Sequence, residues 1–159
     1  MLELDQATPL LQEGYRYWDR KRAGRPMPAR ADIDPAEITA LLPHVVLLEV
    51  LRDAAPELPL DFRYRLMGTE VEAHLTMRYT GLRMSGIPHQ RAPSRMWKNF
   101  TAVVDARRPL FTEVPYIGQH REFLAAQDLI TPLSADGESV DMLFNLVDFI
   151  PRTDRHVRS

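Results

Sequence analysis

A single proline marks the change from helix-like to strand-like sequence that most constrains the fold of this chain. Asp34 is predicted to cap a helix that runs to Leu42, and Glu37 is spaced to accept the backbone N–H of the cap residue in return. Pro43 ends this helix because proline has no backbone N–H and disfavours helical geometry in the residue before it. Val45–Val50 follows as a nearly continuous apolar run, which is typical of a strand buried on both faces.

An N-terminal helix is predicted ahead of this stretch. Thr8 is a suitable cap, and proline stands at the first helical position. Leu11, Tyr15 and Trp18 recur at helical spacing, so the helix has one strongly apolar face.

Alternating and apolar segments predict further strands, with one longer helix between them. Arg52–Pro59 is charged and proline-rich, which predicts a long loop before the alternating strand Phe62–Leu66. Helical spacing returns over Ser94–Ala106. Three strands are predicted to follow, over Leu110–Ile117, Glu122–Thr131 and Val140–Ile150. This order of elements predicts an antiparallel α+β sheet with helices on one face.

Several short motifs occur along the chain in a fixed order: Tyr17-Trp18, Gly24–Pro35, Leu41–His44, Phe62–Thr69, Thr80-Gly81, Arg108-Pro109, Leu133–Gly137 and Val140–Met142. Together they resemble the motifs of PAS domains, and more narrowly those of an alphaproteobacterial family of small single-domain PAS-like proteins. Near Thr80-Gly81 the chain departs from that pattern, because Thr76 and Arg78 stand where a glycine and an acidic residue are usual.

The resemblance implies a five-stranded antiparallel sheet in the order 2-1-5-4-3, with helices enclosing a cavity on one face. We therefore predict an N-terminal helix and linker over residues 1–29, a PAS-like domain over 30–150 and a flexible basic tail over 151–159. PAS domains sense small molecules or cofactors, or mediate protein contacts, and frequently dimerise through an added N-terminal helix.

Two sets of apolar residues are candidates for a ligand pocket and for a dimer interface. The polar residues Asp141 and Asn145 suggest that their side of the last strand faces outward. Because side chains alternate along a strand, Met142, Phe144 and Leu146 are then expected to face inward. The pocket candidates are Phe62, Tyr64, Leu66, Trp97, Phe100, Met142, Phe144 and Leu146, and the alternative is that they simply fill the core. The interface candidates are Leu11, Tyr15, Trp18, Leu143, Val147 and Phe149, although folding of the N-terminal helix onto its own sheet would cover the outer face equally well.

No metal or catalytic site is predicted. The histidines lack close metal-ligand spacing, and Ser94–Ala106 has no histidine to ligate haem, although His74 could face the cavity and ligate haem iron. Without cysteine a flavin adduct cannot form, whereas noncovalent flavin binding stays open. The cluster of Asp32, Asp34 and Glu37 is explained by helix capping and ion pairing. The histidines are His44, His74, His89, His120 and His156, and the carboxylates expected at edge or solvent-facing strand positions are Glu113, Asp128, Asp141 and Asp148.

Charge and hydropathy narrow the function classes. The net charge of −2 gives no reason to expect nucleic acid, and no apolar stretch approaches bilayer-spanning length. The N-terminal residues lack the pattern of a secretory signal, so a cytoplasmic location is expected. We expect a non-catalytic sensory module that binds a small apolar ligand, forms a homodimer and acts on an unknown signalling partner. The alternatives are a pure interaction scaffold with a filled core and a small cone-shaped enzyme that uses an enclosed carboxylate such as Asp148.

Overall fold

The computed structural model describes residues 4–116, 120 and 122–152. Its helices are α1 (Pro9–Arg22), α2 (Thr69–Glu72) and α3 (Arg95–Ala106), and its strands are β1 (Val45–Ala55), β2 (Leu58–Met67), β3 (Leu110–Pro115), β4 (Phe123–Leu133) and β5 (Met142–Pro151). Short 3-10 turns lie at Arg30–Asp32, Pro35–Glu37, Leu42–His44 and Met84–Gly86. Most of the predicted basic tail, including His156, lies outside the described residues. No helix within the described ranges combines the length and apolar character needed to cross a bilayer.

The five strands form one sheet in the order β2-β1-β5-β4-β3, and every neighbouring pair is antiparallel. Two strands come first, the short α2 and the longer α3 follow, and a three-strand meander completes the sheet. The predicted α+β fold class and strand order are therefore confirmed.

The β1–β2 connection is a tight turn, so the predicted loop over Arg52–Pro59 is wrong. β1 continues to Ala55 and β2 begins at Leu58, which leaves Pro56 and Glu57 in the turn. Most residues at this end of the hairpin are exposed. Their polarity therefore reflects a hairpin that extends into solvent, not a break in the strands.

The predicted helix from Asp34 to Leu42 is reduced to short 3-10 turns. The carboxylate of Asp34 accepts the Ala36 N–H at 3.0 Å, but its own N–H donates to the Tyr17 hydroxyl at 2.9 Å. Glu37 does not close a capping box; it accepts the Tyr17 hydroxyl proton at 2.9 Å. A side chain from α1 has thus taken the partners that a local helix start would use.

Helix α1 folds back onto its own sheet. Gly14 allows the close approach, because a Cβ there would lie 2.7 Å from a side-chain methyl of Leu146. The Trp18 indole donates to the Pro132 carbonyl at 2.9 Å, and the Gln127 side chain accepts the Thr8 N–H at 2.9 Å. The sheet face that β4 and β5 share is therefore covered within one chain.

Gly68 joins β2 to α2 at a point where the backbone leaves no room for a side chain. Its N–H donates to the Val45 carbonyl at 2.7 Å. A Cβ at Gly68 would lie 2.2 Å from the Pro43 carbonyl oxygen and 2.4 Å from that of Leu42. These contacts involve backbone atoms, which cannot rotate away as a side chain can.

Trp18→Ala is expected to lower the free energy of unfolding by about 3–5 kcal/mol, because it removes a buried indole and its hydrogen bond. Urea denaturation measures this change, and Glu13→Ala on the exposed side of α1 is the matched control. Because α1 packs in cis, the midpoint should not change with protein concentration. A loss below about 1 kcal/mol would contradict the described packing.

Gly68→Ala is expected to cost about 3 kcal/mol of stability through overpacking against backbone carbonyls. Gly86→Ala is the control, since no atom lies within 4 Å of a Cβ built there. Thermal denaturation of the two variants should separate them clearly, and equal melting temperatures would refute the argument.

Candidate functional site

The sheet has two covered faces, which we name by the helix that packs on each. On the α1 face, the ring of Tyr17 lies 6.5 Å from that of Phe144. On the α3 face, the ring of Phe62 contacts Trp97 at 5.2 Å and Phe100 at 5.5 Å, both in edge-to-face geometry. These rings fix which side of each strand faces which helix.

Strand register shows that the predicted faces of β5 were exchanged. Leu48 lies opposite both Tyr64 and Leu143, and directly opposed residues share a face. Leu143 and Asn145 therefore belong to the α3 face, while Met142, Phe144 and Leu146 belong to the α1 face. The prediction was wrong because it used Asn145 as a marker of solvent, whereas this residue is only 1% exposed.

Only part of the predicted pocket set comes together. Phe62, Tyr64, Trp97 and Phe100 are all buried on the α3 face. Leu66 does not join them, because the pairing of β2 with β1 shifts by one residue at this point. Leu48 lies opposite Tyr64, whereas Leu47, which faces the other side of the sheet, lies opposite Leu66. Leu66 is 42% exposed.

The predicted interface residues pack within the chain. Leu11, Trp18 and Leu143 are almost fully buried. Phe149 is half-buried and stacks on the His74 ring at 3.7 Å. Tyr15 and Val147 are also half-buried and pack against the core. These side chains are thus largely covered within one chain, and homodimerisation stays a prediction.

Three polar atoms on the α3 face are buried with no hydrogen-bond partner among the described residues: Thr101 Oγ1, Asp128 Oδ1 and Asn145 Oδ1. We call Thr101, Asp128 and Asn145 the polar trio. Thr101 lies one helical turn after Trp97 on α3, and the other two lie on β4 and β5. Each such atom costs about 1–3 kcal/mol relative to a satisfied one. The arrangement therefore leaves one hydroxyl, which can donate or accept, and two oxygens of a carboxyl and an amide group without partners among the described residues.

Asp128 is the titratable member of the trio. Burial raises the pKa of its carboxyl to about 7. The residue as a whole is half-buried, although Oδ1 itself is fully enclosed. Burial and the nearby charge of Asp128 also raise the pKa of Tyr64, whose hydroxyl donates to Gln90 at 2.5 Å. Near neutral pH the Asp128 carboxyl can therefore either donate or accept a proton.

The other carboxylates that the sequence pointed to are not enclosed in this way, whereas Asp61 on β2, which was not predicted, is 1% exposed and accepts the Ser85 hydroxyl proton. Asp148, the predicted enzymatic candidate, is on the opposite face; its side chain is 20% exposed and 3.9 Å from His44 Nδ1. Asp141 accepts the Ala135 N–H at 2.7 Å, and Glu113 is exposed. The expectation of solvent-facing carboxylates was thus wrong for Asp128. The sequence signal was the apolar run that follows it, which indicates cover on both faces.

The acidic cluster near residue 34 is structural. Asp32 accepts the Ala29 N–H and an Arg25 N–H, each at 2.8 Å, and these bonds lower its pKa. Hydrogen bonds from Lys21 and then Tyr17 lower the pKa of Glu37. Their charges are already compensated within the chain.

Histidines and aromatic rings form a second cluster beside α2. His74 Nδ1 lies 2.6 Å from the Tyr116 hydroxyl, and the ring of His120 lies 4.9 Å from that of His74. Burial, followed by the charge of His120, lowers the pKa of His74. His44 Nδ1 lies 3.0 Å from the Val147 carbonyl oxygen. Within the described ranges no three histidine, aspartate or glutamate residues form a group that could hold a metal ion.

Comparison with known proteins identifies one family. A family model described as a PAS domain matches residues 7–147. No curated protein and no solved structure matches the chain. The match includes α1, the sheet and α3, while the narrower alphaproteobacterial resemblance stays a prediction.

Asp128→Asn is expected to remove a pH dependence of stability. The native carboxyl, with its pKa of about 7, keeps a proton that the unfolded chain, with an ordinary pKa of 3.8, releases. Stability contributed by this proton is present below about pH 4 and falls by up to about 1.4 kcal/mol per unit towards pH 7. The variant should therefore gain stability relative to the native chain as pH rises from 5 to about 7.

Urea denaturation at several pH values measures this difference, and Asp148→Asn on the other face is the matched control. A difference between Asp128→Asn and the native chain that stays constant with pH would show that Asp128 is not enclosed.

Proposed function

Because the chain belongs to the PAS domain family, whose members are generally non-catalytic sensory or interaction modules, we propose that it is a sensor that binds a small ligand between α3 and the sheet. The observation that carries this proposal is the polar trio, whose buried oxygen atoms have no hydrogen-bond partner in the described part of the chain. A purely structural interior would be more stable with apolar side chains at these positions.

The chemistry of the α3 face defines the ligand class. Trp97, Phe100 and Phe62 supply apolar, aromatic walls. The polar trio adds the oxygens of Asp128 and Asn145, which can accept an N–H or O–H, and the Thr101 hydroxyl, which can accept or donate. We therefore expect a small, largely apolar molecule with at least one donor, which refines the expectation of a small apolar ligand. Haem and flavin are not required by this chemistry.

Ligand occupancy would act through the position of α3 relative to the sheet. A ligand shifts the equilibrium between two positions of α3 only as far as its affinities for those two positions differ. The signal would then pass to a protein partner, in the cytoplasm as we propose. Homodimerisation stays a prediction, since the apolar face of α1 is used within the chain.

A pure scaffold with a filled core and a small enzyme are the alternatives. The scaffold requires the trio to be satisfied by water alone. The enzyme requires an enclosed carboxylate that a substrate can reach, and Asp128 replaces Asp148 as its candidate. Binding of a ligand would distinguish the sensor from the scaffold, and recovery of that ligand unchanged would distinguish it from the enzyme.

Asp128→Asn and Asn145→Leu are expected to weaken binding of a donor-bearing ligand by about tenfold each, because each removes or alters an acceptor. The probes are small amines, amides and alcohols with an aromatic or aliphatic body, titrated by NMR and recovered unchanged. Native mass spectrometry of protein taken directly from cells would show a ligand that is already bound.

Phe144→Leu is the control, since it alters the buried α1 face and should leave affinity unchanged. Urea denaturation establishes that each variant is folded. If no probe binds, or if both trio variants bind as the native chain does, the sensor proposal fails and the scaffold is favoured.

A further inference from the structure

Asp128 is enclosed without a countercharge. Its Oδ1 is buried and has no hydrogen-bond partner, and no lysine, arginine or histidine among the described residues forms an ion pair with its carboxylate. Asp61 is the instructive contrast, because this buried carboxylate accepts the backbone N–H groups of Phe62 and Ser85 and the Ser85 hydroxyl proton. The described chain thus satisfies one enclosed carboxylate and leaves the other without a partner.

Strand register identifies the neighbours of Asp128 on the α3 face. It lies directly opposite Val147 on β5 and Thr112 on β3, neither of which carries a charge. Asn145 is its diagonal neighbour, since Asn145 pairs with Ile130, two residues further along β4. Diagonal neighbours of this kind lie about 7–8 Å apart, so one small group can contact both side chains. The carboxylate and the amide oxygen therefore serve the same part of the interior.

The third oxygen of the polar trio comes from the helix above. Helix α3 packs on β4, and Thr101 stands one turn from each of two buried residues, Trp97 and Val104. Its Oγ1 is buried and has no partner among the described residues. Three oxygen atoms thus reach the space between helix and sheet from α3, β4 and β5.

The titratable groups nearest to Asp128 do not supply the missing donor. The Tyr64 hydroxyl on β2 donates to Gln90 instead, while the charge of Asp128 helps to raise the pKa of Tyr64. His74 stacks on Phe149, two residues along β5 from Val147. The charged groups that act on its pKa are His120, Glu70 and Glu122.

Resting on the proposed function, we propose that the ligand is a small amine that binds as its ammonium ion, with Asp128 as countercharge and Asn145 and Thr101 as further acceptors. An ammonium group carries three N–H donors and no acceptor, which matches three oxygen atoms. Its apolar body would contact Trp97 and Phe100 on the same helix. The amine thereby supplies the positive charge that the described chain does not place beside this carboxylate.

Other ligand classes fit the three oxygens less well. An alcohol or an amide would be served equally by a neutral acceptor, such as the side-chain amide that β5 already provides at Asn145, without the cost of enclosing a carboxylate. A carbonyl compound could accept a proton from the neutral form of Asp128, but it would leave Asn145 Oδ1 without a donor. The carboxyl group at this position is therefore best explained by a cation.

Protons compete with such a ligand. The ammonium ion pairs with the ionised carboxylate, whose pKa is about 7 in the unliganded chain. Because the carboxyl group is mostly protonated at pH 6 and mostly ionised at pH 8, affinity for the amine should be about tenfold weaker at pH 6. A neutral analogue does not require the ionised form, so its affinity should change little.

The test compares amines with alcohols of the same skeleton: phenethylamine with phenethyl alcohol, benzylamine with benzyl alcohol, and butylamine with butanol. Each is titrated into the full chain at pH 6 and pH 8 and followed by NMR. At pH 8 at least one amine should bind about tenfold more tightly than its alcohol. Asp128→Asn should remove both this preference and its pH dependence. Asp148→Asn on the α1 face is the matched control and should keep both.

The outcomes separate this inference from the proposed function. If the alcohols bind as tightly as the amines, or if the preference for an amine survives Asp128→Asn, the amine proposal is overturned while the sensor stands. An amine affinity that is equal at pH 6 and pH 8 overturns it as well, and this measurement needs only the native chain. If none of the six compounds binds, both proposals fail. Urea denaturation establishes that the two variants are folded.

Discussion

The structure depends on one constraint: β4 and β5 carry buried side chains on both faces, so the sheet must be covered twice. Helix α3 covers one face through its aromatic residues, and α1 covers the other through Trp18 and the close approach at Gly14. Because a single chain supplies both covers, the N-terminal helix is part of the folded unit. The polar groups near residue 34 follow from the same packing, since the Tyr17 hydroxyl on α1 reorganises their hydrogen bonds.

The two covered faces differ in character. The α1 face has polar side chains that are satisfied within the chain, such as Gln127, which bonds to Thr8 and Gln6. The α3 face contains aromatic rings together with acceptors that lack donors among the described residues. A protein selected only for stability would gain by replacing those acceptors with apolar groups. This contrast between the faces supports ligand binding on the α3 side.

Much of the fold could be predicted from the sequence, while the faces of the strands could not. The Thr8 cap and the α3 helix follow local rules, and the strand order followed from the resemblance to PAS domains. The capping role of Glu37 failed because Tyr17, distant in sequence, competes for the same groups. The face of Asn145 was misassigned because polarity is a poor marker of exposure when a site buries polar atoms. The residues on which the proposed ligand site rests are therefore ones that a hydrophobic pattern misreads.

The position of Tyr64 has a consequence for communication within the molecule. One residue contributes its ring to the buried α3 face, its backbone N–H to the Leu82 carbonyl and its hydroxyl to a contact with Met96 Sδ, and Leu82 and Met96 are both partly exposed. The buried α3 face and these surface residues are thus separated by the side chain of Tyr64 alone, with no intervening hinge. Thermodynamic linkage requires any coupling between the interior and the surface to be reciprocal. A molecule bound at the surface that raises the affinity of the interior for its ligand is therefore itself bound more tightly, by the same factor, when that ligand is present. A single tyrosine side chain is thus the shortest route by which the interior and the surface of this domain could be coupled.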